Sequence, residues 1–142
     1  MSKADNKAID IAKYKDQDIF KVDTLVELIK KYEPYVIDVR SMTEYCSCHI
    51  CGAHNINTPL PPLYPSDVRR LEKKLSEICV RGRDSLIIVY CKLGKRAGLA
   101  KRLLIKMGYS NVLSLGGVDE NPLKKIMEGG NGGKIRLCQC CR

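Results

Sequence analysis

The run Ser85-Leu-Ile-Ile-Val-Tyr90 is uninterrupted by charge and is followed at once by Cys91-Lys-Leu-Gly-Lys-Arg96. An apolar run of this length, bounded by turn residues and charges, is typical of a strand that is buried on both faces of a sheet. The composition then changes abruptly to a cysteine, a glycine and three cations. We therefore expect a central strand to end here, with a polar loop at its carboxyl end.

Helical and strand patterns alternate on both sides of this run. Apolar residues recur at helical spacing over 22–32, 66–80 and 97–107, with Ser66 as the expected cap of the second helix. Short apolar runs at 35–39 and 111–115 predict two more strands. The alternation predicts an α/β fold, a mostly parallel sheet with helices on both faces. In such sheets a reactive site lies outside the carboxyl ends of the strands, so residues after Tyr90 are the first candidates.

The remaining segments are predicted to be less regular. We expect a flexible lead-in over 1–18, a domain over 19–128 that starts with a short strand at 19–21, and an extended loop over 58–65, which holds four of the six prolines. A last short helix is predicted over 122–127. The glycine-rich stretch 129–133 predicts a hinge, beyond which a cysteine-rich tail, to residue 142, should move independently of the domain.

Size and composition exclude several classes of protein. A chain of 142 residues with 44% hydrophobic and 29% charged residues fits one globular domain. No stretch approaches the about 20 apolar residues of a membrane span. The first 20 residues mix Lys with Asp and have no apolar core, so we expect no export signal and a cytoplasmic protein. The eight cysteines are then expected to be reduced.

The loop after Tyr90 has the composition of an anion site. A cysteine at a strand end, about five residues before a helix, faces backbone N–H groups and a helix N-terminus, which stabilise negative charge. Lys92, Lys95 and Arg96 add positive charge, and Gly94 allows a tight turn. These features favour a thiolate at Cys91, which is a nucleophile that attracts an anionic substrate. The competing interpretation, a cysteine that merely packs in the core, explains neither the glycine nor the cations.

Five motifs in order resemble the rhodanese (sulfurtransferase) family. They run over about two-thirds of the chain, and each is weak alone. The motifs are Val36-Ile-Asp-Val-Arg40 with Glu44-Tyr45, His49-Ile-Cys-Gly-Ala53, Ile88-Val-Tyr-Cys-x-x-Gly-x-Arg96, Gly108-Tyr-Ser-Asn-Val112, and Leu115-x-Gly117.

The resemblance implies a five-stranded, mostly parallel sheet flanked by helices, and transfer of sulfane sulfur. Cys91 would carry the sulfur as a persulfide, taken from a small anionic donor such as thiosulfate and passed to a thiol or cyanide. The amides from Lys92 through Leu93, Gly94 and Lys95 to Arg96 would hold the persulfide. Arg96, with Lys95 or Lys92, would bind the anionic end of the donor. No cofactor is expected.

Two other functions stay open. Phosphatases and arsenate reductases on a similar fold have Arg six positions after the cysteine, whereas Arg96 is five positions after Cys91 and position 97 is Ala. The shorter loop favours sulfur transfer. The second is a non-catalytic rhodanese-like module for binding or metal sensing. Such modules usually lack the cysteine, so the presence of Cys91 argues against this function.

Four residues before the loop are predicted to support it. Asp38 and Arg40 follow a buried strand, and we expect Arg40 to pair with Glu44 or with loop carbonyls. His49 resembles the turn histidine of the family, for which we expect a hydrogen-bonded structural role.

The other cysteines depart from the family pattern. Three interpretations remain open for them: a metal site, a thiol relay to Cys91, and incidental cysteines with a disordered tail. We favour the last, with no bound metal. The cysteines concerned are Cys46, Cys48, Cys51, Cys138, Cys140 and Cys141.

The net charge of +9 is concentrated around the predicted loop, because residues 66–106 hold twelve Lys and Arg against four Asp and Glu. The simplest interpretation is a solvated helix face. A positive field that steers small anions towards Cys91 is the useful alternative. An acidic protein or RNA as sulfur acceptor is also compatible, although no aromatic residues interleave with the basic ones. The oligomeric state cannot be predicted.

Overall fold

A computed structural model describes residues 22–118, residue 124 and residues 135–140. The helices are α1 (Val22–Tyr32), α2 (Met42–Ser47), α3 (Pro65–Ile78) and α4 (Lys95–Lys106). The strands are β1 (Tyr35–Asp38), β2 (His49–Ile50), β3 (His54–Asn55), β4 (Leu86–Cys91), β5 (Asn111–Gly117) and β6 (Leu137–Cys138). The strand predicted at 19–21, the hinge at 129–133 and all of the helix predicted at 122–127 except Lys124 lie outside the described residues.

Four strands form a parallel sheet in the order β3-β1-β4-β5, as the alternating pattern predicted. Four parallel strands are described rather than the five that the family resemblance implied. All six residues of β4 are buried, which confirms the central strand predicted from the apolar run. Because β4 lies between β1 and β5, its carboxyl end is surrounded by the ends of both neighbours.

The two faces of the sheet carry separate cores, because side chains alternate along each strand. On one face Ile88 and Tyr90 pack with Leu25 and Leu28 of α1. On the other face strand residues pack with side chains of α3 and α4. That second set includes Val89, Cys91, Leu71, Leu75, Ala97, Ala100 and Leu104. Helices therefore cover both faces, and Cys91 ends β4 on the α4 side.

Helix boundaries differ from the sequence predictions for local reasons. Helix α3 begins at Pro65, and the Asp67 side chain accepts a hydrogen bond from the Tyr64 amide, so Ser66 is not the cap. Proline suits the first position of a helix because no amide is lost there. Helix α4 begins at Lys95, two residues before the predicted start, with Gly94 at its N-cap in a left-handed conformation (φ 92°). The earlier start brings the helix N-terminus closer to Cys91.

The predicted independence of the tail is wrong. Strand β6 pairs antiparallel with β2, with His49 opposite Cys138 and Ile50 opposite Leu137. Ile135 is buried in the same core as α1. Disulfides join Cys46 to Cys140 and Cys51 to Cys138, so these four cysteines are not the reduced thiols that were expected. The glycine-rich sequence at 129–133 predicted a flexible tail, whereas buried Ile135 anchors the segment that follows it.

No helix within the described ranges is long and apolar enough to cross a membrane.

Candidate active site

The Cys91 sulfur lies where the sequence predicted an anion site. It accepts hydrogen bonds from the backbone amides of Gly94, at 2.9 Å, and Ala97, at 3.3 Å. Cys91 is 1% exposed, so little solvent competes for these bonds. Two amides directed at one sulfur, together with the N-terminus of α4, stabilise negative charge on it. Of the five loop amides expected to surround the sulfur, only that of Gly94 reaches it, and Ala97 supplies the second.

The loop is held in place from behind by the end of β5. The Val118 amide donates to the Cys91 carbonyl at 2.7 Å. A Cβ atom on Gly117 would lie 2.2 Å from the Lys92 carbonyl oxygen and 2.7 Å from the Leu93 Cα. Only glycine fits at this position, because the contacted atoms are backbone and cannot turn away. Gly117 therefore permits the close approach of strand and loop that aims the Gly94 amide at the sulfur.

A surface cavity of about 350 Å³ opens above Cys91. Cys91 contributes to its lining, and the exposed side chains of Lys92, Leu93 and Lys95 stand around it. The lining also includes Pro59 and Leu60 of the proline-rich loop and Asn57 just before it. The cavity thus combines a cysteine sulfur, two cations without carboxylate partners among the described ion pairs, and apolar side chains.

Arg96 also lines the cavity, but its guanidinium is already paired. It donates to the Glu44 carboxylate at 3.0 Å and 3.3 Å. Glu44 also accepts bonds from the amide and hydroxyl of Ser41, in a capping box at the start of α2. The hydrogen bond from Arg96 holds the pKa of Glu44 down at about 2, with help from Ser41 and against the effect of burial. The prediction that Arg96, with Lys95 or Lys92, binds the anionic end of the donor stays a prediction, and the Glu44 carboxylate shares the Arg96 charge.

Arg40 pairs differently from the Glu44 contact that was predicted. Its guanidinium donates to both oxygens of Asp38 and, at 2.6 Å, to the Cys48 carbonyl. The carbonyl alternative is thus the observed one. Asp38 is fully buried at the end of β1, and a buried carboxylate requires a charged partner nearby. Arg40, two residues later, is the nearest cation along the chain and pairs with Asp38. Glu44 therefore pairs with Arg96 instead.

His49 has the hydrogen-bonded position that was expected. Its Nδ1 lies 2.7 Å from the Tyr45 carbonyl oxygen, and its ring stacks on the Tyr45 ring with centroids 3.6 Å apart. The Tyr45 hydroxyl donates to the Ala53 carbonyl at 2.6 Å. These contacts attach α2 to β2 and to the turn that follows it. None of them involves a residue of the Cys91 loop.

The free cysteines among the described residues differ in environment. Cys79 is buried in the α3 core, and burial raises the pKa of its thiol to about 11, so it is protonated at neutral pH. Cys48 is half-buried, and Cys91 alone receives two amide bonds at its sulfur. In the described ranges, no group of three or more His, Cys, Asp or Glu is arranged to hold a metal ion.

Three features of the site were missed from the sequence. The first is the contribution of Asn57, Pro59 and Leu60 to the cavity. The signal for it is that β3 and β4 run parallel, so the residues after both strands lie at the same carboxyl end of the sheet. The second is the Glu44–Arg96 pair, which spans 52 positions and leaves no local signal. The third is the packing of Gly117 under the loop. A double glycine at the end of a neighbouring strand indicates such a close approach, but not which backbone it meets.

Comparison with known proteins agrees with this architecture. The family model described as Rhodanese-like domain matches residues 21–120. The chain is 32% identical over 90 residues to thiosulfate sulfurtransferase PspE of Escherichia coli K12, covering 63% of this chain and 76% of that protein. It is 31% identical over 99 residues to the thiosulfate:glutathione sulfurtransferase of Saccharomyces cerevisiae, covering 65% and 68%.

Solved structures support the fold. A rhodanese with anions from E. coli superposes with a TM-score of 0.54 at 23% identity, over 75% of this chain and 99% of that one. A rhodanese-like domain from Anabaena gives a TM-score of 0.56 at 23% identity, over 78% and 75%. The family match covers more than two-thirds of the sequence, and both curated relatives are covered over most of their length. The chain therefore belongs to the rhodanese-like domain family.

Proposed function

We propose that this protein is a sulfurtransferase that moves sulfane sulfur from thiosulfate, or a similar anionic donor, to a thiol or cyanide through a persulfide on Cys91. The observation that carries the proposal is the Cys91 sulfur at the cavity, held by the amides of Gly94 and Ala97. The names of the E. coli and yeast relatives support the same reaction class.

The chemistry follows from charge stabilisation at one sulfur. The Cys91 thiolate attacks the outer sulfur of thiosulfate, the sulfur–sulfur bond of the donor breaks, and sulfite leaves with the electron pair. The product is a persulfide anion on Cys91, whose charge the loop amides stabilise as they stabilised the thiolate. An acceptor thiolate or cyanide then attacks the outer sulfur, which restores the Cys91 thiolate.

Cations around the cavity are proposed to bind the anionic end of the donor. Lys92 and Lys95 are exposed and line the cavity, whereas Arg96 shares its charge with Glu44. Lys95 also lies in the first turn of α4, close to the amides that face Cys91. We therefore assign the binding of the anionic sulfur donor mainly to Lys92 and Lys95. Arg96 pairs with Glu44 and contributes its remaining positive charge to the cavity.

Thiocyanate formation from thiosulfate and cyanide tests the reaction. We expect Cys91→Ser to abolish it, with an unchanged circular dichroism spectrum. Cys79→Ala is the matched control, because its protonated buried thiol cannot replace Cys91. Activity of Cys91→Ser within twofold of the parent, or hydrolysis of p-nitrophenyl phosphate without any sulfur transfer, contradicts the proposal.

The lysine assignment has its own matched pair on one helix. Lys95 begins α4 and Lys106 ends it, and both side chains are exposed. We expect Lys95→Gln to raise KM for thiosulfate about three- to tenfold, since a nearby charge in a partly exposed site is worth about 1 kcal/mol. Lys106→Gln should leave KM unchanged. Equal effects of the two substitutions would mean that only overall charge matters.

A further inference from the structure

The two disulfides hold a segment that has few other attachments. We call Cys46–Cys140 and Cys51–Cys138 together the disulfide staple. The backbone ladder between β2 and β6 is two residues long, extended by bonds from the Cys51 amide to the Arg136 carbonyl and from the Cys140 amide to the Cys46 carbonyl. So short a ribbon is marginal without further support. In residues 135–140, that support comes from the staple, from buried Ile135 and from partly buried Leu137, which packs against the same core.

All four staple cysteines are accessible to a reagent. Cys46, Cys51 and Cys138 are partly exposed, and Cys140 is exposed. The exposed Arg136 adds a positive charge beside the staple, which favours the approach of a thiolate. Exchange at a disulfide requires that a thiolate reach one of the two sulfur atoms. The staple is therefore open to reductants, unlike the buried thiol of Cys79.

The staple is connected to the Cys91 site through α2. This helix has six residues and none of them is fully buried; Tyr45 is its one side chain that packs against the core, and it also stacks on His49. An isolated helix of this length does not persist in water. Cys46 ties its last turn to the terminal segment, while Glu44 in its first turn holds Arg96. A change at Cys46 therefore reaches Arg96 through a single short element.

We propose that the disulfide staple is a reversible redox site for a dithiol reductant, and that opening it withdraws Glu44 from Arg96. Each disulfide takes two electrons and two protons from one dithiol, which becomes a disulfide, and yields two cysteine thiols. The last turn of α2 then loses its tie to the terminal segment, the helix shifts about Tyr45 so that Glu44 moves away, and the Arg96 charge is left uncompensated in the cavity. The reduced protein binds anionic donors more tightly, a consequence that rests on the proposed function.

Peptide mapping tests the staple itself. Trypsin cleaves after Arg40, Arg69 and Arg136, which yields peptides 41–69 and 137–142 that contain all four staple cysteines. In protein equilibrated with oxidised glutathione we expect these two peptides to remain joined, and to separate after dithiothreitol. The intact protein should gain about 4 Da on reduction, for four hydrogens, and lose it again on reoxidation. Full alkylation of all cysteines without prior reduction overturns the site.

Thiosulfate binding tests the coupling without requiring turnover. Isothermal titration is carried out in a Cys91→Ser background, with the staple intact or removed by Cys46→Ser and Cys51→Ser. We expect Kd for thiosulfate to fall about three- to tenfold when the staple is absent, the effect of removing one competing partly exposed ion pair. Cys48→Ser, a change of a free cysteine in the same segment, should leave Kd unchanged.

A second variant keeps the test decisive if the protein without the staple does not fold. Glu44→Gln in the stapled protein should lower Kd by a similar factor, and the combination with staple removal should give no further fall. An unchanged Kd in Glu44→Gln, or fully additive effects, overturns the coupling. Absence of sulfur transfer by the parent protein would instead overturn the proposed function, because mapping and titration do not depend on turnover.

Discussion

Substitution of Gly117 by alanine is expected to disable the Cys91 loop while preserving the fold. The new Cβ would lie 2.2 Å from the Lys92 carbonyl oxygen, 2.5 Å from the Lys92 carbonyl carbon and 2.7 Å from the Leu93 Cα. Because Cβ atoms in proteins stay beyond 3.0 Å from such neighbours, the loop and the strand must separate by at least 0.8 Å. The φ angle of Gly117 lies outside the left-handed region, so the effect is steric alone.

The size of the effect follows from that displacement. Overpacking against rigid backbone costs about 1–3 kcal/mol of folding free energy, which corresponds to a fall in Tm of about 3–10 °C in a domain of this size. Displacement of a catalytic group by about 1 Å lowers the rate about 100-fold. We therefore expect kcat/KM for thiosulfate to fall about 30- to 100-fold, far more than the loss of stability alone explains at 25 °C.

Gly98→Ala is the matched control for this experiment. Gly98 lies in α4, and a Cβ there would approach nothing closer than the Arg102 guanidinium, at 3.9 Å. Alanine is favoured over glycine in a helix by up to about 1 kcal/mol, so this variant should melt slightly higher and keep its activity. Steady-state kinetics and thermal unfolding by circular dichroism measure both variants. Activity of Gly117→Ala within twofold of the parent would refute the role assigned to Gly117.

Two further predictions concern pH and the terminal segment. The pKa of Glu44 is lowered from its ordinary value of 4.5 to about 2. Its ion pair with Arg96 therefore stabilises the fold fully above about pH 4.5, and this stabilisation is lost as pH falls through 2. Because the Glu44 side chain is 29% exposed, denaturant titrations should show the free energy of unfolding fall by about 1–2 kcal/mol over that range, a fall absent in Glu44→Gln. An equal acid dependence of parent and variant would contradict this. Truncation after Met127 removes Ile135 and both disulfides, which close loops of 94 and 87 residues. Calorimetry of the oxidised proteins should show Tm lower by about 10 °C or more, since one such disulfide is worth about 4 kcal/mol, and an unchanged Tm would contradict the attachment of the tail.

The central part of the fold could be predicted because its signals are local. The apolar run ending at Tyr90 specifies a buried strand, and the cysteine, glycine and cations after it indicate a loop at a helix start. The parallel arrangement then follows from alternation of strands and helices. Helix α2 was not predicted, because it buries no side chain and so has no apolar period. Its only local signal is the capping box of Ser41 and Glu44.

Contacts between distant parts of the chain could not be predicted in the same way. Arg40 and Arg96 compete for two carboxylates, and the sequence does not show that buried Asp38 requires the nearer arginine. The disulfides depend on a pairing of β2 with β6 across more than 85 residues. Composition favoured free thiols there, whereas Ile135 in the core brings the cysteines into range. Local chemistry thus singled out Cys91 as the candidate, and tertiary packing decided the partners of the residues around it.

The mass of Cys91 after exposure to thiosulfate tests the proposed mechanism most directly. The protein is incubated with thiosulfate, freed of excess donor, alkylated and digested, and peptide 84–92, which contains Cys91, is weighed. We predict a gain of about 32 Da, one sulfur atom, on this peptide, and its loss after cyanide is added. Peptides with Cys48 or Cys79 should gain nothing. Sulfur found on another cysteine, or no gain at Cys91 while thiocyanate is still produced, would contradict the persulfide mechanism.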